Sequence, residues 1–165
     1  VDSATVRGVL SLPLSTLRAG WPVLPNPATR HRAIALTPAQ FHYAFTNTLT
    51  EAQSAAVYER YQVPGPGRVL FEGALANFNP RSALRVDFRN QTRAPLLFIA
   101  GGADHLIPPS ANRANANHYR KSKAITDYKE FPGRSHFTLG QDGWEEVADY
   151  ALDWALAHDA LRFAA

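Results

Sequence analysis

The sequence predicts an α/β fold, and two observations in its C-terminal part carry this prediction. The first is a continuous apolar run of strand length at 94–100, which Gly101-Gly102 ends, as is typical of a buried parallel strand. The second is an alternation of polar and apolar residues at 125–131, which predicts another strand. A segment of helix length at 110–121 lies between them, so the three form a right-handed unit of an open parallel sheet.

Both helices of this C-terminal part have recognisable starts. Ser110 is the expected N-cap of the helix between the two strands. The helix expected at 142–158 is the clearest of the chain, because acidic residues lie at its start, where they complement the helix dipole. Its apolar residues fall on one face, which we expect to be buried: Trp144, Val147, Ala148, Ala151, Leu152 and Ala155.

The middle of the chain is rich in proline and predicts short helices on irregular connections. Thr37-Pro-Ala-Gln40 and Thr50-Glu-Ala-Gln53 each combine an N-cap threonine with glutamine three residues later, which is the capping-box pattern. Apolar residues at helical spacing follow both. A turn is expected at 64–67 and a third short helix at 69–76.

The composition is that of an ordinary globular chain. Its 165 residues are 45% hydrophobic and 19% charged, which suits one domain with a sizeable core. The net charge of +3 comes from 14 Arg and 3 Lys that are scattered along the chain, so no basic run or stripe predicts nucleic-acid binding. Zero cysteines exclude a disulfide framework, a zinc-thiolate site and a cysteine nucleophile.

The sequence shows no sign of membrane insertion, export or metal binding. No apolar run approaches the roughly 20 residues that span a bilayer, and the N-terminus lacks the features of a signal peptide. The histidines outside the strand-to-helix loops have no partner at metal-ligand spacing: His31, His42, His118 and His158. We therefore expect a cytoplasmic protein with no membrane span and no metal.

Two loops that leave the predicted strands carry a carboxylate and an imidazole. Asp104 follows the first strand, within 101–109, and His136 follows the second, within 131–137. Active sites of open parallel sheets form at such loops, at the carboxyl ends of the strands. A hydrolytic triad needs this pair, because the acid fixes the tautomer of the histidine and the histidine carries a proton to and from the nucleophile.

These segments resemble the C-terminal part of the α/β-hydrolase superfamily, in particular bacterial esterase-like and lipase-like members with a helical lid. The matching text is APLLFIAGGADHLIPPS, TDYKEFPGRSHF and GWEEVADYALDW, in the order and spacing of that family's last two strands and last helix. The resemblance implies that Asp104 is the triad acid, that His136 is the base, and that no cofactor is needed. It also implies a small apolar ester as substrate. Ile107 and Phe137 are the first candidates for contact because they lie beside the proposed pair, whereas Phe41 could line an apolar pocket or belong to the core of the lid, which is the more common place for helix-spaced aromatics.

The resemblance divides the chain into three parts. Residues 1–12 correspond to the end of a core strand and its loop, 13–92 to the lid, and 93–165 to the C-terminal part of the core. Asp2, near the end of that first strand, is an alternative acid, but Asp104 occupies the commoner place. Because the sequence begins in strand-like text and contains no methionine, we expect it to be a piece of a longer protein.

The nucleophile of the expected triad is not in this chain. The nucleophile elbow G-x-S-x-G, a strained turn between a strand and a helix, appears nowhere in the sequence. Ser135 follows Gly133 as in that motif, but the second glycine is missing and no helix follows, so Ser135 is a poor candidate. The nucleophile and the oxyanion-hole donors are expected upstream, and the nucleophile is serine or, as in dehalogenase-like relatives, aspartate.

Two hypotheses of different class stay open. In the first, the chain is part of an esterase that acts through an acyl-enzyme, with haloperoxidase, dehalogenase and lyase parents as alternatives on the same fold. In the second, the chain is a non-catalytic truncated module. Two strands alone leave open sheet edges, so such a module would associate with another copy or pair with a missing N-terminal segment.

Overall fold

The computed structural model describes residues 6–11 and 13–159. The alternative acid Asp2 and the strand end expected at 1–3 lie outside these residues. The helices are α1 (Leu14–Gly20), α2 (Pro38–Phe45), α3 (Glu51–Tyr61), α4 (Gly67–Leu75), α5 (Pro109–His118) and α6 (Trp144–Asp159), with short 3-10 helices at Pro27–His31 and Tyr119–Lys121. The strands are β1 (Ala33–Ile34), β2 (Gly65–Pro66), β3 (Leu96–Gly101) and β4 (Thr126–Phe131).

The α/β unit predicted for the C-terminal part is confirmed. Strands β3 and β4 pair in parallel, from Leu96 opposite Thr126 to Gly101 opposite Phe131, and α5 connects them. Leu97, Phe98 and Ala100 of β3 are buried, and so is Phe131 at the end of β4, whereas Ile99 is partly exposed. The two strands therefore end side by side, with their following loops at one edge of the sheet.

Two details of the predicted helices are wrong. Helix α5 begins at Pro109, and Pro108 occupies the N-cap position without a side-chain hydrogen bond, so Ser110 lies inside the first turn and is not the cap. Proline suits the first helical position because its missing N–H would have no partner there. Helix α6 begins two residues later than expected, because Gly143 adopts a left-handed conformation with φ +73° that ends the preceding loop.

The apolar face of α6 is only partly buried among the described residues. Val147 is fully buried, whereas Leu152 and Leu156 are 58% and 62% exposed and Trp144 is also exposed. The expectation of one buried face is therefore wrong for its outer turns. No helix in the described ranges is both long and apolar enough to cross a membrane.

Both predicted capping boxes are present in the helical segment, which comprises residues 13–92. The Thr37 hydroxyl accepts from the Gln40 N–H at 3.3 Å, and the Gln40 amide oxygen accepts from the Thr37 N–H at 2.9 Å. Thr50 and Gln53 repeat the arrangement at the start of α3, at 3.3 and 3.0 Å. These bonds satisfy N–H groups that the first turn of a helix leaves without partners.

Residues 64–67 are more ordered than the turn that the sequence predicts. Gly65 and Pro66 form β2, which pairs antiparallel with β1, and α4 starts directly afterwards at Gly67 instead of at residue 69. A Cβ atom at Gly67 would lie 2.2 Å from the Thr29 carbonyl oxygen, so only glycine permits this approach.

Replacing Thr50 by alanine is expected to lower the free energy of unfolding by about 1 kcal/mol, because the cap hydroxyl is lost. Urea unfolding followed by circular dichroism measures the change. Serine at the same position keeps the hydroxyl and is the matched control. Equal losses for the alanine and serine variants would contradict a role for the cap.

Candidate active site

Two loops are hydrogen-bonded to each other directly beyond the strands. The acid loop follows β3 and carries Asp104, and the histidine loop follows β4 and carries His136. The Gly102 N–H donates to the Phe131 carbonyl at 2.8 Å, and the Ala103 N–H donates to the Arg134 carbonyl at 2.9 Å. Gly101 permits this approach, because a Cβ atom there would lie 2.6 Å from the Arg134 carbonyl oxygen. The sheet edge thus holds the two loops in contact.

Asp104 and His136 are hydrogen-bonded across these loops. The Nδ1 atom of His136 lies 2.8 Å from the Asp104 Oδ2 atom. Because a carboxylate oxygen paired in this way accepts, Nδ1 carries the proton and Nε2 is the basic nitrogen of the ring. This is the tautomer that a histidine needs to accept a proton from a nucleophile through Nε2.

The Asp104 carboxylate is buried and held by the backbone of its own loop. Asp104 is 3% exposed, and its Oδ1 atom accepts from the Leu106 and Ile107 N–H groups at 2.7 and 2.9 Å. Both oxygens therefore have donors, and the side chain cannot rotate without losing at least one bond. The arrangement orients the His136 ring, which is itself only partly exposed.

The helical segment is attached to both loops. The Asn47 side-chain amide donates to the Ala103 carbonyl at 2.9 Å, and the Phe137 N–H donates to the Phe45 carbonyl at 2.9 Å. The Phe45 ring also packs edge-on against the His136 ring, with 5.1 Å between centroids. Sequence reasoning missed Asn47, because a single amide in a connection between helices has no periodic signal.

A cavity of about 530 Å³ opens beside the imidazole. His136 and Phe137 line it, together with Tyr61 and Ile99. Of the predicted substrate contacts, Phe137 lines this cavity and Ile107 does not. Ile107 contributes its backbone N–H to Asp104 instead.

A second cavity of about 350 Å³ lies within the helical segment and is lined mainly by apolar side chains. Phe41 and Phe45 contribute to it from α2, and Leu106 contributes from the acid loop. Phe41 also stacks on Phe45 at 5.0 Å and contacts Tyr58 edge-on at 5.4 Å, so it belongs to the core of the helices as well. Tyr61 lines both cavities.

Ser135 is buried and hydrogen-bonded within the segment between β4 and α6. Its side chain is fully buried, and its hydroxyl and its N–H both lie 3.0 Å from the Gln141 side-chain oxygen, to which both donate. The Nδ1 atom of His105 donates to the Tyr43 carbonyl at 3.1 Å, so this nitrogen is bonded to α2.

The tyrosines with shifted pKa values lie on the α5 side of the sheet. Burial, as the largest cause, and the hydrogen bond to Glu130 together raise the pKa of Tyr128 to about 12. Burial also raises the pKa of Tyr119, against the opposing effect of the Arg93 charge. Both phenols are therefore neutral near pH 7 and act as hydrogen-bonding and packing groups.

The described structure combines a parallel strand pair, flanking helices and an acid-histidine pair at the strand ends. No family model matches the chain, and no curated protein matches it in sequence. Its fold is similar to the crystal structure of Paleococcus ferrophilus monoacylglycerol lipase, with a TM-score of 0.52 and 20% sequence identity. The similarity covers 93% of this chain and 55% of that lipase chain. The chain thus shares its α/β fold with part of that lipase chain, and the predicted α/β fold class is confirmed.

Proposed function

We propose that this chain supplies the acid, Asp104, and the base, His136, of a Ser-His-Asp triad that hydrolyses carboxylic esters. The observation that carries the proposal is the 2.8 Å hydrogen bond between the two side chains at adjoining strand ends. The serine comes from sequence outside these 165 residues, since no nucleophile elbow is present.

In the proposed reaction His136 first accepts a proton from the serine and then donates it to the leaving alcohol. Its Nε2 atom accepts the serine proton while the serine oxygen attacks the ester carbonyl, and Asp104 stabilises the resulting imidazolium. The proton then passes to the leaving alcohol as the acyl-enzyme forms. Water attacks the acyl group by the same route, which releases the acid and restores the serine.

The two cavities support an ester of a small or medium apolar acid as the substrate. Phe137 borders the cavity at the imidazole, and Phe41 borders the apolar cavity of the helical segment. Ile107 is proposed as a contact of the same substrate, because it lies in the acid loop three residues after Asp104. In this proposal residues 13–92 act as the lid, and the name of the similar lipase agrees with an acyl ester.

The test uses a protein that contains this chain together with the sequence upstream of it. We expect that protein to hydrolyse p-nitrophenyl butyrate and to lose turnover with phenylmethylsulfonyl fluoride, while the 165-residue chain alone shows no turnover. Mass spectrometry of the labelled protein locates the nucleophile. A label on Ser135, or no turnover of any ester, would contradict the proposal, and turnover that resists the inhibitor would favour an aspartate nucleophile.

The second candidate is an association module, and the sheet favours it. Among the described residues β4 pairs only with β3, so the other edge of β4 can accept a further strand. The partner would be a second copy or an N-terminal segment of the same protein. Size-exclusion chromatography with light scattering checks this for the isolated chain, and a monomer with a sharp thermal transition counts against it.

A further inference from the structure

We propose that a cationic cavity at the C-terminal end of α5 binds a small molecule that carries a phosphate group. The cavity measures about 490 Å³, within the range typical of small-molecule sites. Its charged and polar lining consists of Arg89, His118, Arg120, Lys121 and Asn117. The inference is independent of the proposed esterase activity, because it uses none of the same residues.

The cationic cavity lies at the opposite end of the strands from His136. Helix α5 starts directly after the acid loop, at Pro109, and runs for ten residues to His118. At about 1.5 Å of rise per residue, its C-terminus is roughly 15 Å from the candidate active site. A ligand in the cationic cavity would therefore occupy a separate site.

The charge of the cavity is uncompensated within the described structure. Arg89, Arg120 and Lys121 form no ion pair with any described residue, and no carboxylate lines the cavity. Asp87, close in sequence, instead accepts a hydrogen bond from the backbone N–H of Arg89 at 2.9 Å. Phosphate oxygens match such a site, because guanidinium groups bind them with paired N–H donors and lysine adds a point charge.

The two chain segments that carry these cations are hydrogen-bonded to each other. The Ser122 hydroxyl donates to the Asn90 carbonyl at 2.7 Å, and the Lys123 N–H donates to the Gln91 side-chain oxygen at 2.6 Å. The Arg93 guanidinium donates to the carbonyls of residues 124 and 125 at 3.0 and 2.8 Å. The backbone segment of Arg89 is thus held beside that of Arg120 and Lys121, which lowers the entropy cost of binding.

Phe88 adds an aromatic side chain to the lining of the cavity, and an organic group beside the phosphate can pack against it. The Phe88 ring lies between His118 and Tyr119, with centroid distances of 4.9 and 5.0 Å. Cations after the last turn of α5 also complement the helix dipole, which gives Arg120 and Lys121 a structural role. Arg89 belongs to a different segment, so the dipole does not explain its presence.

Isothermal titration calorimetry of the 165-residue chain with sodium pyrophosphate tests the proposal. We expect saturable binding at one site, weakened about tenfold by Arg89→Gln and by Arg120→Gln, because each removes a charged donor. Arg85→Gln removes the same charge from an exposed position outside the cavity and should leave binding unchanged. Absence of binding, or equal weakening by all three substitutions, overturns the proposal.

Two further measurements complete the test. The melting temperature should be unchanged by Arg89→Gln and Arg85→Gln, because these arginines are exposed, whereas Arg120→Gln should lower it slightly through the lost interaction with the helix dipole. Vesicles of phosphatidylcholine with phosphatidic acid distinguish the source of the phosphate. Pyrophosphate binding without cosedimentation supports a soluble ligand, and cosedimentation that Arg89→Gln abolishes supports a lipid headgroup.

Discussion

Replacing Asp104 by asparagine is expected to reduce ester turnover about 10,000-fold in a protein that carries the complete proposed triad. The Oδ1 atom of Asp104 accepts two backbone N–H groups, so the asparagine oxygen stays on that side. Its NH₂ group then faces Nδ1 of His136 and requires that nitrogen to accept. The ring must carry its proton on Nε2, where it can no longer take one from serine.

The matched control for this substitution is Asp127→Asn. Asp127 lies on β4 and accepts a hydrogen bond from the Trp154 indole at 2.6 Å, so the same chemical change is made outside the loops. Steady-state kinetics with p-nitrophenyl butyrate should show turnover close to the parent for this variant. If the two variants lost turnover equally, or if Asp104→Asn stayed within a few-fold of the parent, the catalytic role of Asp104 would be refuted.

Replacing Gly101 by alanine is expected to destabilise the fold by about 3 kcal/mol, which is the upper end for overpacking. The added Cβ would lie 2.6 Å from the carbonyl oxygens of both Arg134 and Ser135 and 2.8 Å from the Thr138 hydroxyl. Because two of these atoms are backbone, the histidine loop must move. We therefore also expect loss of the bond between His136 and Asp104, and with it of turnover.

Gly73→Ala is the control for this effect. No atom lies within 4 Å of a Cβ at Gly73, which is inside α4, so alanine there should stabilise the helix by up to about 1 kcal/mol. Urea unfolding of the two variants compares a crowded glycine with an open one. Equal stability of Gly101→Ala and the parent would show that the loop accommodates the extra carbon.

The sequence predicted the parts of the fold that depend on local pattern. The apolar run before Gly101 and the alternation before Pro132 identified β3 and β4, since strand periodicity is visible in a short window. Their order also predicted that Asp104 and His136 would meet, because loops at the ends of adjoining parallel strands share one edge.

The remaining features depend on contacts between distant segments. Asn47 and Ala103 are 56 residues apart, and no spacing rule relates them. The short pairing of β1 with β2 escaped prediction for the same reason, because two-residue strands have no periodicity. The outer turns of α6 are exposed although their residues follow an apolar pattern. Such a pattern shows that a helix face is able to be buried, but it does not identify the segment that packs against this face.

The attachment of the helical segment to both loops has a consequence for protein engineering. Helical segments that border a pocket are natural units to exchange when new selectivity is sought. Here such an exchange would also remove the Asn47 amide and the Phe45 carbonyl, which hold the acid loop and the histidine loop from outside. A chimera would need to keep these two hydrogen-bonding groups, or contain replacements for them. Only then could the effect of the changed pocket on selectivity be measured.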